Sequence, residues 1–142
     1  MKLFSGTSGL FLLTVCAPLC ERAGIDRNTG HQRHLLVPVK IRDRNLVVLL
    51  DTGSEASSID TSVATELGLK SVGTEQILKN FRNLTVDLTE AESIRIGKSI
   101  FNHAKLAEIT LAPLSQALGT TVDGVLGNDI LQDLTFKLSY SK

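Results

Sequence analysis

Five apolar residues, Leu46-Val47-Val48-Leu49-Leu50, run directly into Asp51-Thr52-Gly53-Ser54, and this junction constrains the chain more than any other segment. A short continuous apolar run reads as a buried strand, so the acid at its end is delivered on a rigid support. Gly53 lets backbone approach the carboxylate closely. The hydroxyls of Thr52 and Ser54 are able to orient that acid or its counterpart. The plain alternative for Asp51 is a turn acid capping its own backbone, and for the two hydroxyls it is ordinary turn satisfaction. A tripeptide such as Asp-Thr-Gly recurs by chance, and its place at the end of an apolar strand is what gives it weight.

Hydrolysis by carboxylates needs two acids sharing one proton, one activating water and the other protonating the carbonyl under attack. No second copy of the motif is present: Asp123-Gly124 has no Thr before the glycine and is followed by Val125. One such acid in a chain of 142 residues implies a homodimer, with Asp51 of each subunit meeting across a two-fold axis. Asp123 reads as a turn former ahead of a strand, and Asp129 as a residue that caps or pairs near a helix start. His31, His34 and His103 have no ligand-like spacing. Neither a metal nor a cofactor is implied.

The remaining pattern is one of short strands. Leu35 to Ile41 is a strand in which Pro38 marks an edge or an irregularity, Arg42 to Asn45 a polar turn, and Ser57 to Ile59 an extended segment. Asp60 or Thr61 caps a helix through Leu67, with Gly68 as its stop. Glu75 to Leu78 and Leu84 to Leu88 form a hairpin turning at Lys79-Asn80-Phe81-Arg82-Asn83. Glu92 to Ile96, Ile100 to Phe101 and Lys105 to Leu111 pulse as strands do, around a tight turn at Gly97-Lys98-Ser99. Pro113 opens a helical turn through Leu118, and Asn128 to Leu134 forms a second short helix. Many short strands with turns between them give an all-β, barrel-like domain.

The N-terminal residues 1–20 have the layout of an export leader. Lys2 supplies a short positive region and Leu10 to Leu19 an apolar stretch of the right length. Too short for a spanning helix, this stretch leaves no stable membrane span after processing and points to a periplasmic or secreted location. The alternative is an apolar strand or helix belonging to the fold. Cys16 and Cys20 both lie in this segment, so the processed domain holds no disulfide. Residues 21–33 read as a polar arm, and 34–142 as one domain. With 15 basic and 15 acidic residues the formal charge is zero, which argues against a nucleic-acid partner. Asn83-Leu84-Thr85 fits a glycosylation sequon, relevant only to a eukaryotic secretory pathway.

Over roughly residues 33–142 the chain resembles the retropepsin-like aspartic proteases, the retroviral proteases and their small bacterial relatives. Four segments carry the resemblance in order: the apolar strand into Asp51-Thr52-Gly53-Ser54; Ala56-Ser57-Ser58-Ile59-Asp60 running into Val63 to Leu69; Val122-Asp123-Gly124-Val125-Leu126-Gly127-Asn128-Asp129-Ile130-Leu131; and the closing strand Leu134 to Tyr140. The resemblance implies an all-β retropepsin-like barrel, one lobe per chain, with one or two short helices. It implies an aspartic endopeptidase in which Asp51, Thr52 and Gly53 form the catalytic loop. The peptide or protein substrate lies beneath a flap at Lys79–Asn83, touched by Ser54, Asn80 and Phe81. Two departures stand out. The flap segment from Gln76 to Val86 has no glycine, and Asn128 occupies the position where retroviral relatives place an arginine that helps hold the dimer. These departures suit a non-catalytic dimerisation or peptide-binding module of the same fold. A fragment of a two-lobed protease is a further reading.

Overall fold

The computed structural model describes residues 12–15, 22–23, 34–79 and 81–138. In chain order these form β1 (Leu12–Val15), β2 (Arg22–Ala23), β3 (His34–Ile41), β4 (Arg44–Leu50), β5 (Ser58–Asp60), α1 (Thr61–Glu66) and β6 (Lys70–Lys79), followed by β7 (Arg82–Ile96), β8 (Ser99–Ile109), α2 (Ala112–Leu118), β9 (Gly124–Leu126), α3 (Asn128–Leu131) and β10 (Thr135–Leu138). Eight strands share one sheet in the order β2-β3-β4-β9-β5-β8-β7-β6, and an added pairing of β3 with β7 curls that sheet back on itself. The fold is mainly β, as expected. Among the described residues it carries three short helices instead of one or two.

Strand β4 explains why its sequence is continuously apolar. Leu46 and Val48 face the main core with Val37, Val39, Ile59, Ile94, Leu106 and Leu126. Leu49 faces a second core with Leu36, Leu111, Leu118, Val122 and Val125, which lies under α2. A strand covered on both faces has no solvent side to mark with polar residues. Strand β9 is divided in the same way, Val125 into the second core and Leu126 into the first. The two strands run parallel, pairing Val48 with Gly124, Leu49 with Val125 and Leu50 with Leu126. They therefore end side by side, with Asp51 leaving one and Gly127 the other.

Pro38 pairs with Val47 of β4 at a point that neither β2 nor β7 reaches, so its missing N–H interrupts no ladder. The helix expected after β5 is present. Asp60 is its N-cap, Leu67 its C-cap and Gly68 follows at φ 59°. Burial alone pushes the Asp60 carboxyl up, but the Ser62 hydroxyl and the N–H groups of Leu111, Ser62 and Val63 outweigh it and hold the group below its ordinary value. A carboxyl lowered in the folded state adds stability above its ordinary value and loses it as pH falls through the lowered one.

Glu108 is the opposite case. Burial first, and then the nearby Asp87 carboxylate, push it above its ordinary value. Its contribution to stability is full below the unfolded-chain value and is lost as pH rises through the raised one. Glu108→Gln is therefore expected to stabilise the protein at neutral pH by roughly 0.2–1 kcal/mol. That gain should vanish in acid, as read from urea unfolding at the two pH values.

The hairpin of β6 and β7 corrects the sequence reading. The ladder runs from Lys70–Glu90 to Lys79–Arg82, so Lys79, Arg82 and Asn83 belong to the paired strands and not to the turn expected from Lys79 to Asn83. Strand β7 continues unbroken to Ile96, and β8 runs unbroken from Ser99 to Ile109, joining stretches that the sequence separated. Leu111 is no longer strand but the residue that precedes α2. At the other end, the helix expected over Asn128–Leu134 stops at Leu131, and the closing strand is described as Thr135–Leu138. Its expected continuation, Ser139 and Tyr140, lies outside the described residues.

Strand β1 falls within the segment expected to be a leader. It pairs in parallel along β10, Leu12 with Thr135 through Val15 with Leu138, as a separate two-stranded sheet. Apolar character that suits a leader also suits a strand. Cys16 and Cys20 lie outside the described residues. Among the described residues no helix is long and apolar enough to cross a membrane.

Candidate active site

Asp51 emerges half-buried from the end of β4, its N–H donating to the Leu126 carbonyl at 3.0 Å. The carboxylate is held from within its own turn. Gly53 N–H donates to Asp51 Oδ1 at 2.9 Å, and Ser54 N–H to the Asp51 carbonyl at 3.2 Å. A Cβ on Gly53 would stand 3.2 Å from Oδ1, so the glycine is what lets the amide close on the acid. Thr52 and Gly53 are exposed, which leaves the outer side of the loop open to solvent.

The hydroxyl of Ser54 is not on the carboxylate. Its Oγ donates to the Ala56 carbonyl at 2.8 Å, which is the turn satisfaction that stood as the plain alternative to orienting the acid. A small hydroxyl two residues from an accepting carbonyl bonds locally before it bonds at a distance. Phe81 stands at the tip of the β6–β7 hairpin, fully exposed and at φ 61°, a left-handed conformation that is strained for an aromatic residue. Asn80, its expected companion in contacting substrate, lies outside the described residues. Below the tip, Ile77 pairs with Leu84 and Glu75 with Val86 on one face of the ribbon, while Leu78, 73% exposed, pairs with Asn83 on the other.

The sequence reading missed a clamp on the loop. Gly127 and the start of α3 lie against residues 51–57 and bond to them at successive points. Asn128 N–H donates to the Ser54 carbonyl at 2.8 Å and Asp129 N–H to the Glu55 carbonyl at 3.2 Å. Asn128 Nδ2 donates to the Thr52 carbonyl at 2.8 Å. Ser57, fully buried, gives its hydroxyl to Asp129 Oδ1 at 2.6 Å and its N–H to Asp129 Oδ2 at 3.0 Å, and its Oγ accepts from Gly127 N–H at 2.9 Å. Ser57→Ala would leave the Gly127 N–H buried without this acceptor and Asp129 without one of its donors. A cost of about 1–3 kcal/mol is expected, read as a lowered midpoint in denaturant unfolding.

Both acids weighed as rivals to Asp51 are occupied elsewhere. Asp129 holds Ser57 as described and also accepts from Ile130 N–H through Oδ1. Asp123 accepts from Val47 N–H at 2.8 Å through Oδ2, and its own N–H returns to the Val47 carbonyl at 2.8 Å. It pins β4 to the start of β9, a firmer role than the turn former expected. Among the described residues, no group of three or more His, Cys, Asp or Glu side chains is arranged to hold a metal.

Asp51 thus stands at the ends of two parallel strands, braced by a glycine amide and gripped by the start of α3. The profile of the Aspartyl protease family matches residues 37–130, and the chain belongs to that family. Among solved structures it is similar to the EIAV protease in complex with the inhibitor HBY-793, at 25% identity and a TM-score of 0.57 over 82% of this chain and 100% of that one. A retropepsin-like aspartic protease from Rickettsia conorii matches at 20% identity and a TM-score of 0.50 over 70% of each chain, a likeness of fold. The foamy viral protease-reverse transcriptase in complex with an RNA/DNA hybrid matches at 12% identity and a TM-score of 0.55, over 75% of this chain and 13% of that one, again in fold alone. No curated protein sequence matches the chain.

Proposed function

We propose that this chain is an aspartic endopeptidase that works as a homodimer, its two Asp51 carboxylates meeting across a two-fold axis. The observation that carries the reading is the Asp51 carboxylate itself, held by the Gly53 amide on a braced loop whose outer side is open. Family membership supports the peptidase class. The homodimer follows from the chemistry, since hydrolysis through an acid pair needs two carboxylates and Asp123 and Asp129 are engaged elsewhere.

In this mechanism the pair carries one proton. The ionised member takes a proton from water, which attacks the peptide carbonyl, while the protonated member donates to the carbonyl oxygen. No covalent intermediate forms. The extended substrate lies between the Asp51 loop and the β6–β7 ribbon, with Ser54, Asn80 and Phe81 in contact with it. Export from the cytoplasm belongs to the same proposal and rests on the leader-like N-terminal segment.

The test is cleavage of an unfolded protein by the purified chain from acid to neutral pH, with its mass in solution followed by sedimentation. Cleavage by a dimer, with a bell-shaped pH profile and block by pepstatin-type inhibitors, supports the proposal. A folded dimer that cleaves nothing favours a peptide-binding module. A chain that stays monomeric at every concentration indicates that half of the site is supplied by another lobe.

A further inference from the structure

We infer that Asn128 is a positioning residue for the Asp51 carboxylate, acting through the peptide that joins Thr52 to Gly53. Asn128 Nδ2 donates to the Thr52 carbonyl at 2.8 Å, and the Gly53 N–H donates to Asp51 Oδ1 at 2.9 Å. That carbonyl and that N–H are two ends of a single planar unit, pointing in opposite directions. The side chain of Asn128 and the carboxylate of Asp51 therefore hold one rigid plate from its two sides. Rotating the plate to release either bond releases the other. A donor on the carbonyl also polarises the N–H at the far end, so the two bonds reinforce each other.

The geometry of Asn128 suits this use. Its own backbone is fixed to the same loop by its N–H on the Ser54 carbonyl. Its side chain is short, so little conformational freedom separates that anchor from the amide. The resemblance to retroviral proteases matches Asn128 to a position where those relatives place an arginine that helps hold the dimer. Here the amide is turned onto its own chain, at a carbonyl 76 residues away. Asn128 and Thr52 are both exposed, so their hydrogen bond replaces bonds to water and adds little to stability. An orienting role and a merely structural one thus predict different outcomes: the first costs turnover far more than it costs folding.

The catalytic half of this inference rests on the peptidase reading, while the link from Asn128 to Gly53 stands apart from it. The test uses the full chain with Asn128→Ala and with the near-isosteric Asn128→Asp, which keeps the shape and removes the donor. Three readouts are needed: the Gly53 amide resonance in a nitrogen–proton correlation spectrum, the thermal midpoint, and kcat with KM on an unfolded protein. In both variants the Gly53 amide proton should move upfield as its bond to the carboxylate weakens. Turnover should fall roughly 10- to 100-fold with KM within about twofold, and Tm should drop by no more than a few degrees.

A Gly53 resonance that stays in place in both variants overturns the inference, whether or not the chain cleaves peptides. So does a loss of turnover no larger than the fraction unfolded. If the resonance moves and kcat does not, the positioning link holds and its catalytic consequence is overturned. A wild-type chain that cleaves nothing counts against the peptidase reading, and the Gly53 resonance then decides this one.

Discussion

Replacing Asp51 with Asn is expected to lower kcat by at least about 10,000-fold while leaving fold and association intact. The amide is nearly isosteric, and its oxygen is still able to accept from the Gly53 N–H that holds Oδ1 in the wild type. What it cannot do is ionise or carry the shared proton, so neither water activation nor protonation of the carbonyl is served. In a homodimer the one substitution removes both acids. Mixing supplies a sharper check. If equal amounts of wild type and variant re-equilibrate, about one quarter of the dimers keep two acids, and activity should fall to about that share. Activity falling only to one half would mean that each chain works alone, and the two-fold arrangement would be wrong.

Gly127→Ala is expected to destabilise the protein by about 1–3 kcal/mol or more and to reduce turnover even in the fraction that remains folded. A Cβ at this position would lie 2.7 Å from the carbonyl carbon and oxygen of Ala56 and 2.9 Å from the Ser54 carbonyl oxygen. These are backbone atoms of the loop that carries Asp51, so no side chain can swing aside to relieve the overlap. The loop must shift, and with it the Asn128 and Asp129 bonds to Ser54 and Glu55. Urea unfolding would read the stability loss. A variant as stable as wild type would show that the loop moves at little cost and that the clamp is looser than its distances indicate.

The parts of the fold that the sequence disclosed are those where burial writes itself into composition. Strand β4 was legible because both of its faces are covered, and α1 because Asp60 and Gly68 mark its ends. The β6–β7 ribbon was legible as a hairpin but not in its extent. Thr74, Glu75, Gln76, Asn83 and Thr85 are all exposed, so no alternation of polar and apolar residues records the pairing. Strand β7 was broken over Thr89 to Ala91 for a different reason: Thr89 and Ala91 are fully buried but small, with half-buried Glu90 between them, so no large apolar residue marks the strand there.

At the site, Asp51 and Gly53 were legible because their relation is local. The clamp was not. Ser57 meets Asp129 across 72 residues and Thr52 meets Asn128 across 76, and nothing near Ser57 in sequence announces its partner. The one available signal was the pair Asn128-Asp129 directly after Gly127, where a close backbone crossing and two side chains with hydrogen-bonding ends fall together. For Ser54 the sequence left two uses of its hydroxyl open, because the acceptor that decides between them, the Ala56 carbonyl, is invisible to a reading based on side chains.

The grip of α3 on its neighbour also sets where the protein tolerates a change of length. Successive amides of Asn128 and Asp129 meet successive carbonyls of Ser54 and Glu55, and Ser57 must then arrive opposite Asp129. One residue added or removed between Asp51 and Ser57 would throw every one of these contacts out of step at once. The turn between β7 and β8 has no such bookkeeping, since Gly97 and Lys98 are exposed and Ile96 and Ser99 close the ladder behind them. A tag or reporter peptide spliced between Gly97 and Lys98 would hang in solvent, whereas the same splice beside Thr52 would uncouple the acid from the scaffold that aims it.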